Sequence, residues 1–257
     1  MNSHQPRSAR RYLKPALAWL ALVIVLMWAG CGTARRSLLF HPTHGTHTAG
    51  LTPWQENDAL IGYAQLTDNP ETVWLFLHGN AGQAADRIYA LSAFSPKDSV
   101  YIMEYPGYGQ RPGAPDPKSI NAAAEEAYLA LRKAHPGKPV CVAGESIGSG
   151  PACWLARQPI PPDKLVLVVP FDELNSVAAD HASFLPVGLI LGETWNNVEA
   201  LASYRGPLEI FGAEKDGVIP VKHAEALAAS RPQARFHLLP GGHNNWSHQP
   251  EVRIRNP

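Results

Sequence analysis

The sequence predicts a three-layer α/β/α domain with a mostly parallel sheet, on the basis of two features of its pattern. From residue 58 onward, short apolar segments alternate with longer segments of helical periodicity. Several of the apolar segments are rich in β-branched residues and almost free of polar ones, as expected for strands buried on both faces of a parallel sheet. Because strand and helix alternate without an internal repeat or linker, we expect a single α/β domain.

The elements of this domain are predicted in chain order. Strands are expected at residues 60–66, 73–77, 99–103, 139–142, 165–169, 208–211 and 235–239. Helices are expected at residues 85–94, 120–134, 149–157 and 221–230. The predicted organisation is therefore a signal peptide or membrane anchor over 1–30, a linker over 31–57 and the α/β domain over 58–257.

The amino-acid composition argues against several classes of function. The 257 residues carry 22 Lys and Arg against 22 Asp and Glu, so the formal charge is zero and no basic block in the body favours a nucleic-acid partner. With 45% hydrophobic residues, the chain has enough apolar surface for one substantial core. Three cysteines without paired spacing exclude a disulfide scaffold and a zinc site of the usual kind.

The first thirty residues have the composition of an export signal. Residues 1–14 carry four basic residues and no acid, and an uninterrupted apolar run follows over 16–29. Ala29-Gly30-Cys31 resembles the end of a bacterial lipoprotein signal, which implies lipidation at Cys31. Trp28 stands where such signals have an aliphatic residue, so a retained membrane anchor is the alternative. Both alternatives predict a membrane-tethered protein of the bacterial cell envelope.

The segment after Cys31 contains three histidines at three-residue spacing, His41, His44 and His47. This spacing suggests a metal site, but no carboxylate or thiol cluster lies nearby in the sequence to complete one. We expect a solvated loop instead, because the segment is rich in Gly and Pro. No metal and no cofactor are predicted.

A candidate nucleophile follows the strand predicted before residue 144. Gly144-Glu145-Ser146-Ile147-Gly148 stands between an apolar strand and a helical segment, which is the context that the G-x-S-x-G turn requires. A sharp strand-to-helix turn exposes the Ser146 hydroxyl above the sheet, and the two glycines leave room for it. Glu145 is expected to face solvent or the pocket.

A base and an acid are expected near the carboxyl ends of later strands. His243 lies in a loop of small residues after the last strand, and Asp216 follows the strand before it. The chain order Ser, Asp, His is that of the α/β-hydrolases. Asp172, which ends its own strand, remains an alternative acid, and His78 an alternative base.

Residues 58–247 resemble the α/β-hydrolases, in particular the small serine hydrolases with little or no cap, a branch that includes membrane-tethered ester and thioester hydrolases. The resemblance rests on the Ser146 turn and on residues 78–82, 104–109, 169–172 and 243–244. It implies that the backbone amides of Asn80 and Ile147 form an oxyanion hole. Glu104 and Pro106 depart from the family pattern, and we expect them to alter the pocket wall.

The predicted activity is hydrolysis of a small-molecule or lipid acyl ester or thioester through an acyl enzyme on Ser146. Fewer than forty residues separate Val169 from Pro207, too few for an independent lid, so we expect an open and partly apolar cleft. A catalytically silent binding or scaffold lipoprotein and a serine peptidase are the alternatives.

Overall fold

The computed structural model describes residues 36–182, 191–192 and 194–255. The predicted signal segment, Cys31 and most of the apolar stretch 184–191 lie outside the described residues. The chain divides into two compact units, residues 1–40 and residues 41–257. In the first unit, residues 36–39 form one helical turn. The second unit carries the sheet and the candidate site.

The sheet has eight strands in the described part of the chain, in the order β1-β2-β4-β3-β5-β6-β7-β8. β1 and β2 pair antiparallel, β2 and β4 pair antiparallel, and every pair from β4 to β8 is parallel. The predicted α/β/α class with a mostly parallel sheet is therefore confirmed. The strands are β1 Thr52–Glu56, β2 Ala59–Gln65, β3 Val73–Leu77, β4 Ser99–Met103, β5 Val140–Glu145, β6 Leu165–Val168, β7 Leu208–Ala213 and β8 Arg235–Leu239.

Strand β1 lies inside the segment that we expected to be a linker. Only Trp54 of its five residues is buried, so the segment needs no apolar run and shows none. Pro53 suits a strand at the edge of a sheet. The strand forms a hairpin with β2 through Asn57 and Asp58, whose φ angles of 48° and 64° fit a two-residue turn. Pairing with β2, rather than hydrophobic pattern, makes this segment a strand.

Helices and 3₁₀ segments connect the strands. The helices are α1 Pro117–Ala134, α2 Ser149–Ala156, α3 Leu174–His181, α4 Asn197–Ala200 and α5 Lys222–Ala229. The 3₁₀ segments are Ala84–Ala93, Ser146–Gly148 and Trp246–His248. The helix predicted over 85–94 is thus a 3₁₀ segment, and α3 and α4 occupy the interval where no element was predicted.

The centre of the sheet forms the core and positions the candidate residues. Every residue of β3, β5 and β6 is buried. In a parallel sheet the carboxyl ends of the strands share one edge, and ligand sites form there. Ser146, Asp216 and His243 follow β5, β7 and β8 at this edge. Among the described residues, no helix is long and apolar enough to cross a membrane.

Candidate active site

The turn after β5 brings Ser146 into a strained backbone conformation. Ser146 has a φ of 53°, in the left-handed region that non-glycine residues rarely adopt. A Cβ atom at Gly148 would overlap the carbonyl oxygen of Leu77, and one at Gly144 would lie 2.7 Å from the carbonyl oxygen of Gly148. Only glycine fits at both positions, which explains the spacing of the motif.

Ser146, His243 and Asp216 form one continuous chain of hydrogen bonds. The Ser146 hydroxyl lies 3.0 Å from Nε2 of His243, and Nδ1 of His243 lies 2.7 Å from Oδ2 of Asp216. Oδ1 of Asp216 accepts hydrogen bonds from the backbone amides of Val218 and Ile219, both at 2.8 Å. These amides fix the carboxylate, so the carboxylate in turn fixes the imidazole ring.

The alternative acid, Asp172, belongs to a different cluster. Oδ1 of Asp172 lies 2.7 Å from Nδ1 of His223, and Nε2 of His223 lies 2.8 Å from Oδ2 of Asp180. The Lys222 ammonium group also contacts Asp180, at 2.6 Å. The structure therefore brings Asp216, and not Asp172, to His243. We call the group Asp172, His223, Asp180 and Lys222 the His223 cluster.

The alternative base, His78, is buried beneath the loop that follows β3. Its ring is stacked on Tyr105, with centroids 4.2 Å apart, and its side chain has no exposed surface. Nδ1 of His78 lies 2.7 Å from the carbonyl oxygen of Gly79, and the Tyr105 hydroxyl donates to the carbonyl oxygen of His78. His78 thus shapes residues 78–82, which we call the oxyanion loop, while His243 contacts Ser146.

The side chain of Asn80 binds the oxyanion loop to residues outside it. Its Oδ1 accepts hydrogen bonds from the backbone amide of His41 at 3.1 Å and from the Tyr108 hydroxyl at 2.9 Å. The side-chain oxygen of Asn80 therefore binds other residues of the protein and has a structural role. The backbone amides of Asn80 and Ile147 remain the predicted oxyanion donors.

Comparison with known proteins gives the family. No family model matches the chain. It is 34% identical over 257 residues to the uncharacterized protein Rv2307c of Mycobacterium tuberculosis, covering 90% of this chain and 88% of that protein. It is 26% identical over 203 residues to lysophosphatidylserine lipase ABHD12 of Danio rerio, covering 70% of this chain and 53% of the lipase. The Pyrococcus furiosus esterase Pf2001 shares the fold, with a TM-score of 0.62, 15% identity and coverage of 82% and 94%.

The chain is an α/β-hydrolase. Its match to ABHD12 spans about half of that lipase's length, whereas its match to the mycobacterial protein is nearly complete. The fold and the family agree with the resemblance seen in the sequence. The roles of individual residues in this α/β-hydrolase rest on the geometry of its own site.

In this α/β-hydrolase the segment 41–47 is a mostly exposed loop, as we expected, and it lies along the oxyanion loop. The Thr43 amide donates to the carbonyl oxygen of Gly82 at 3.0 Å, and the Gly82 amide donates to that of His41 at 3.2 Å. The Gly45 amide donates to Oε1 of Gln83 at 2.6 Å. These bonds join residues about forty positions apart, so no local sequence pattern reveals them.

The side chains of His44 and His47 make separate contacts. Nε2 of His47 lies 2.8 Å from Oδ1 of Asp86, and Nδ1 of His44 lies 3.2 Å from the carbonyl oxygen of Gly109. Over residues 36–182, 191–192 and 194–255, no group of three or more His, Cys, Asp or Glu side chains is arranged to hold a metal ion. His44 and His47 thus contact two different segments, and both contacts lie outside the oxyanion loop.

Two acidic residues occupy positions that the sequence analysis did not foresee. Glu104 lies beneath the oxyanion loop rather than in a pocket wall, and its carboxylate accepts hydrogen bonds from the Ala84 amide at 3.1 and 3.2 Å. Glu145 is 5% exposed and hydrogen-bonded inside the protein, instead of facing solvent or the pocket. Strand alternation offered a clue, since Cys141 and Ala143 lie on the same face of β5 and belong to the core.

The two cysteines in the described part of the chain are unreactive because they are buried. Both Cys141 and Cys153 are buried and free. Burial raises the pKa of the Cys141 thiol to about 12, and it also raises that of Cys153. A thiol with so high a pKa is not a nucleophile at neutral pH.

Proposed function

We propose that this α/β-hydrolase is a serine hydrolase that cleaves acyl ester bonds through an acyl enzyme on Ser146. The observation that carries the proposal is the chain Ser146, His243, Asp216, with contacts of 3.0 and 2.7 Å at the carboxyl edge of the sheet. A hydroxyl, an imidazole and a buried carboxylate in this order are the parts of a nucleophile with its base.

The geometry supports a two-step reaction. Ser146 Oγ attacks the ester carbonyl carbon while Nε2 of His243 takes the hydroxyl proton, and Asp216 stabilises the imidazolium that forms. The backbone amides of Asn80 and Ile147 would bind the negative oxygen of the tetrahedral intermediate. The intermediate collapses as the alcohol leaves with the proton from His243. Water then attacks the acyl enzyme by the same route and releases the acid.

The proposed substrates are small-molecule or lipid acyl esters. A relative is a lysophosphatidylserine lipase and a protein of the same fold is an esterase, which favours carboxylic esters over peptides. The same residues would also serve a thioester, because attack occurs at the same carbonyl carbon. A silent scaffold is disfavoured, because a scaffold does not require a serine, an imidazole and a carboxylate in hydrogen-bond contact.

Attachment to the bacterial cell envelope is a further part of the proposal. It rests on the basic leader and apolar run of residues 1–30 and on Cys31. If Cys31 is lipidated, Cys31→Ser leaves the precursor uncleaved. Intact mass of the wild-type protein decides between the alternatives, because an unlipidated species that retains residues 1–30 would indicate a membrane anchor.

A fluorophosphonate probe tests the catalytic proposal without knowledge of the natural substrate. We expect the folded protein to be labelled on Ser146, as located by peptide mapping, and the heat-denatured protein to be unlabelled. Ser146→Ala should abolish labelling, whereas Ser92→Ala, which alters an exposed serine of the 3₁₀ segment Ala84–Ala93, should retain it. Absence of label on Ser146 in the folded wild-type protein would contradict the proposal.

A further inference from the structure

The Glu145 carboxylate receives hydrogen bonds from three separate segments of the chain. Oε2 accepts from the Gly79 amide at 3.1 Å, and Oε1 accepts from the Trp246 indole N–H at 2.9 Å. The Tyr89 hydroxyl lies 2.8 and 2.9 Å from the two oxygens. The residue is 5% exposed, so protein donors take the place of water around the charge.

Two of these contacts, those with Gly79 and Trp246, reach segments that carry a part of the proposed machinery. Glu145 directly precedes Ser146, Gly79 belongs to the oxyanion loop, and Trp246 follows His243 by three residues. One carboxylate therefore links the nucleophile, the oxyanion loop and the loop that carries the base. The approach to Gly79 is close, because a Cβ atom there would lie 3.3 Å from Cδ of Glu145.

The surroundings of Glu145 require an acceptor at both oxygens. The Gly79 amide and the Trp246 indole only donate, so a glutamine at position 145 would direct its NH₂ group at one of them. Burial, followed by the nearby Glu145 carboxylate, raises the pKa of the Tyr89 phenol, so this hydroxyl stays protonated and donates at neutral pH. Arg87 reinforces the arrangement, since its guanidinium donates to the carbonyl oxygen of Gly79 at 3.2 Å.

We propose that Glu145 is a positioning residue, whose carboxylate holds the oxyanion loop and the His243 loop in register with Ser146. The inference rests on the proposed serine-hydrolase function and deepens it. Glu145 does not touch the reacting atoms. It acts through the Gly79 amide on the loop that stabilises the oxyanion, and through Trp246 on the loop that carries the base.

Glu145→Gln tests this role by kinetics. Because the oxyanion forms only on the way to the intermediate, we expect kcat for a short-chain aryl ester to fall about 10- to 100-fold while KM changes less than about threefold. The affinity for a trifluoromethyl ketone, which forms a tetrahedral adduct on the serine, should fall in the same proportion as kcat/KM. A purely structural role would not couple these two quantities.

Trp246→Phe tests the contact of Glu145 with the His243 loop separately from its contact with the oxyanion loop. The variant removes one N–H donor, leaves the Glu145 charge in place, and should lower kcat several-fold. If both residues act through one hydrogen bond, the double variant loses no more than Glu145→Gln alone, which a double-mutant cycle measures. If the losses of kcat in the two single variants add in the double variant, the proposed role of the Glu145–Trp246 hydrogen bond is wrong. If Glu145→Gln does not fold, Trp246→Phe decides by the same kcat and ketone measurements.

Glu209→Gln is the matched control. Glu209 is a partly buried carboxylate near the amino end of β7, 2.9 Å from the Lys164 ammonium group and away from the site. We expect Glu209→Gln to lower thermal stability and to leave kcat unchanged. Unchanged kcat and ketone affinity in folded Glu145→Gln would overturn the positioning role. The proposed function fails on a different result, namely absence of probe labelling at Ser146 in the wild-type protein.

Discussion

In the described part of the chain, His243 and His223 each pair with an aspartate through Nδ1 at the same distance, but their other nitrogens face different groups. Nδ1 of His243 lies 2.7 Å from Asp216, and Nδ1 of His223 lies 2.7 Å from Asp172. The other nitrogen of His243 faces the Ser146 hydroxyl, whereas that of His223 faces the carboxylate of Asp180. The partner of the second nitrogen therefore decides whether the pair can accept a proton from a nucleophile.

The His223 cluster joins elements rather than activating a group. Asp172 follows β6, Asp180 lies on α3, and His223 lies on α5. With a carboxylate on each side, the ring has no lone pair directed at a hydroxyl. His181 adds a second link between α3 and the loop after β7, through Nε2 and the carbonyl oxygen of Val218 at 2.8 Å. We therefore interpret the His223 cluster as a structural clamp beside the candidate site.

The largest expected difference between the two pairs is in activity. His243→Gln should lower kcat/KM for a short-chain aryl ester by at least about 10³-fold, because Ser146 loses its base. His223→Gln should change kcat/KM by less than about fivefold. Initial rates of the two purified variants measure the contrast. A folded His223→Gln protein as inactive as His243→Gln would contradict the clamp interpretation.

The two aspartates extend the comparison to the acid. Asp216→Asn should lower kcat by about 10²-fold or more, because the amide can no longer stabilise the imidazolium of His243. Asp172→Asn should retain kcat within about tenfold. Circular dichroism shows whether each variant is folded. If Asp172→Asn is the more damaging of the two folded variants, Asp172 and not Asp216 supports the base.

The free energy of unfolding should show the opposite order, with His223→Gln more damaging than His243→Gln. His223 is buried and bonded to two carboxylates, so His223→Gln should lower the free energy of unfolding by about 2 kcal/mol. His243→Gln should lower it by less than about 1 kcal/mol, because the ring borders the site. Urea titration of both variants measures the difference, and equal losses would show that the clamp contributes no particular stability.

The smallest expected effect concerns Asp180 and pH. Hydrogen bonds from Lys222 first, and from His223 second, lower the pKa of the Asp180 carboxyl below its ordinary 3.8. A depressed pKa in the folded state contributes stability above the ordinary pKa, and this contribution is lost as pH falls through the folded value. Asp180→Asn should therefore lower Tm slightly at pH 6, and the difference from the wild type should shrink as the pH falls below 3.8. A difference in Tm that does not shrink as the pH falls below 3.8 would contradict this account.

Local rules predicted much of the fold and of the candidate site. All seven strands predicted from apolar runs are present, and the one missed, β1, has a single buried residue. The Ser146 turn was predictable, because glycine spacing and the strand-to-helix context are properties of a few consecutive residues. Asp216 and His243 followed from their places after successive strands, since parallel strands end at a common edge.

Local patterns in the sequence were enough to predict the fold class, the Ser146 turn and the short set of residues that could join it, because periodicity, glycine spacing and strand ends are local properties. The sequence did not reveal which aspartate reaches which histidine, that segment 41–47 lies on the oxyanion loop, or that Glu145 is buried. Those choices depend on contacts such as Glu145 with Gly79 and Trp246, which lie 66 and 101 positions away in the chain. Hydrogen bonds between such distant segments form only after the sheet has brought their loops to one edge, so no local pattern encodes them.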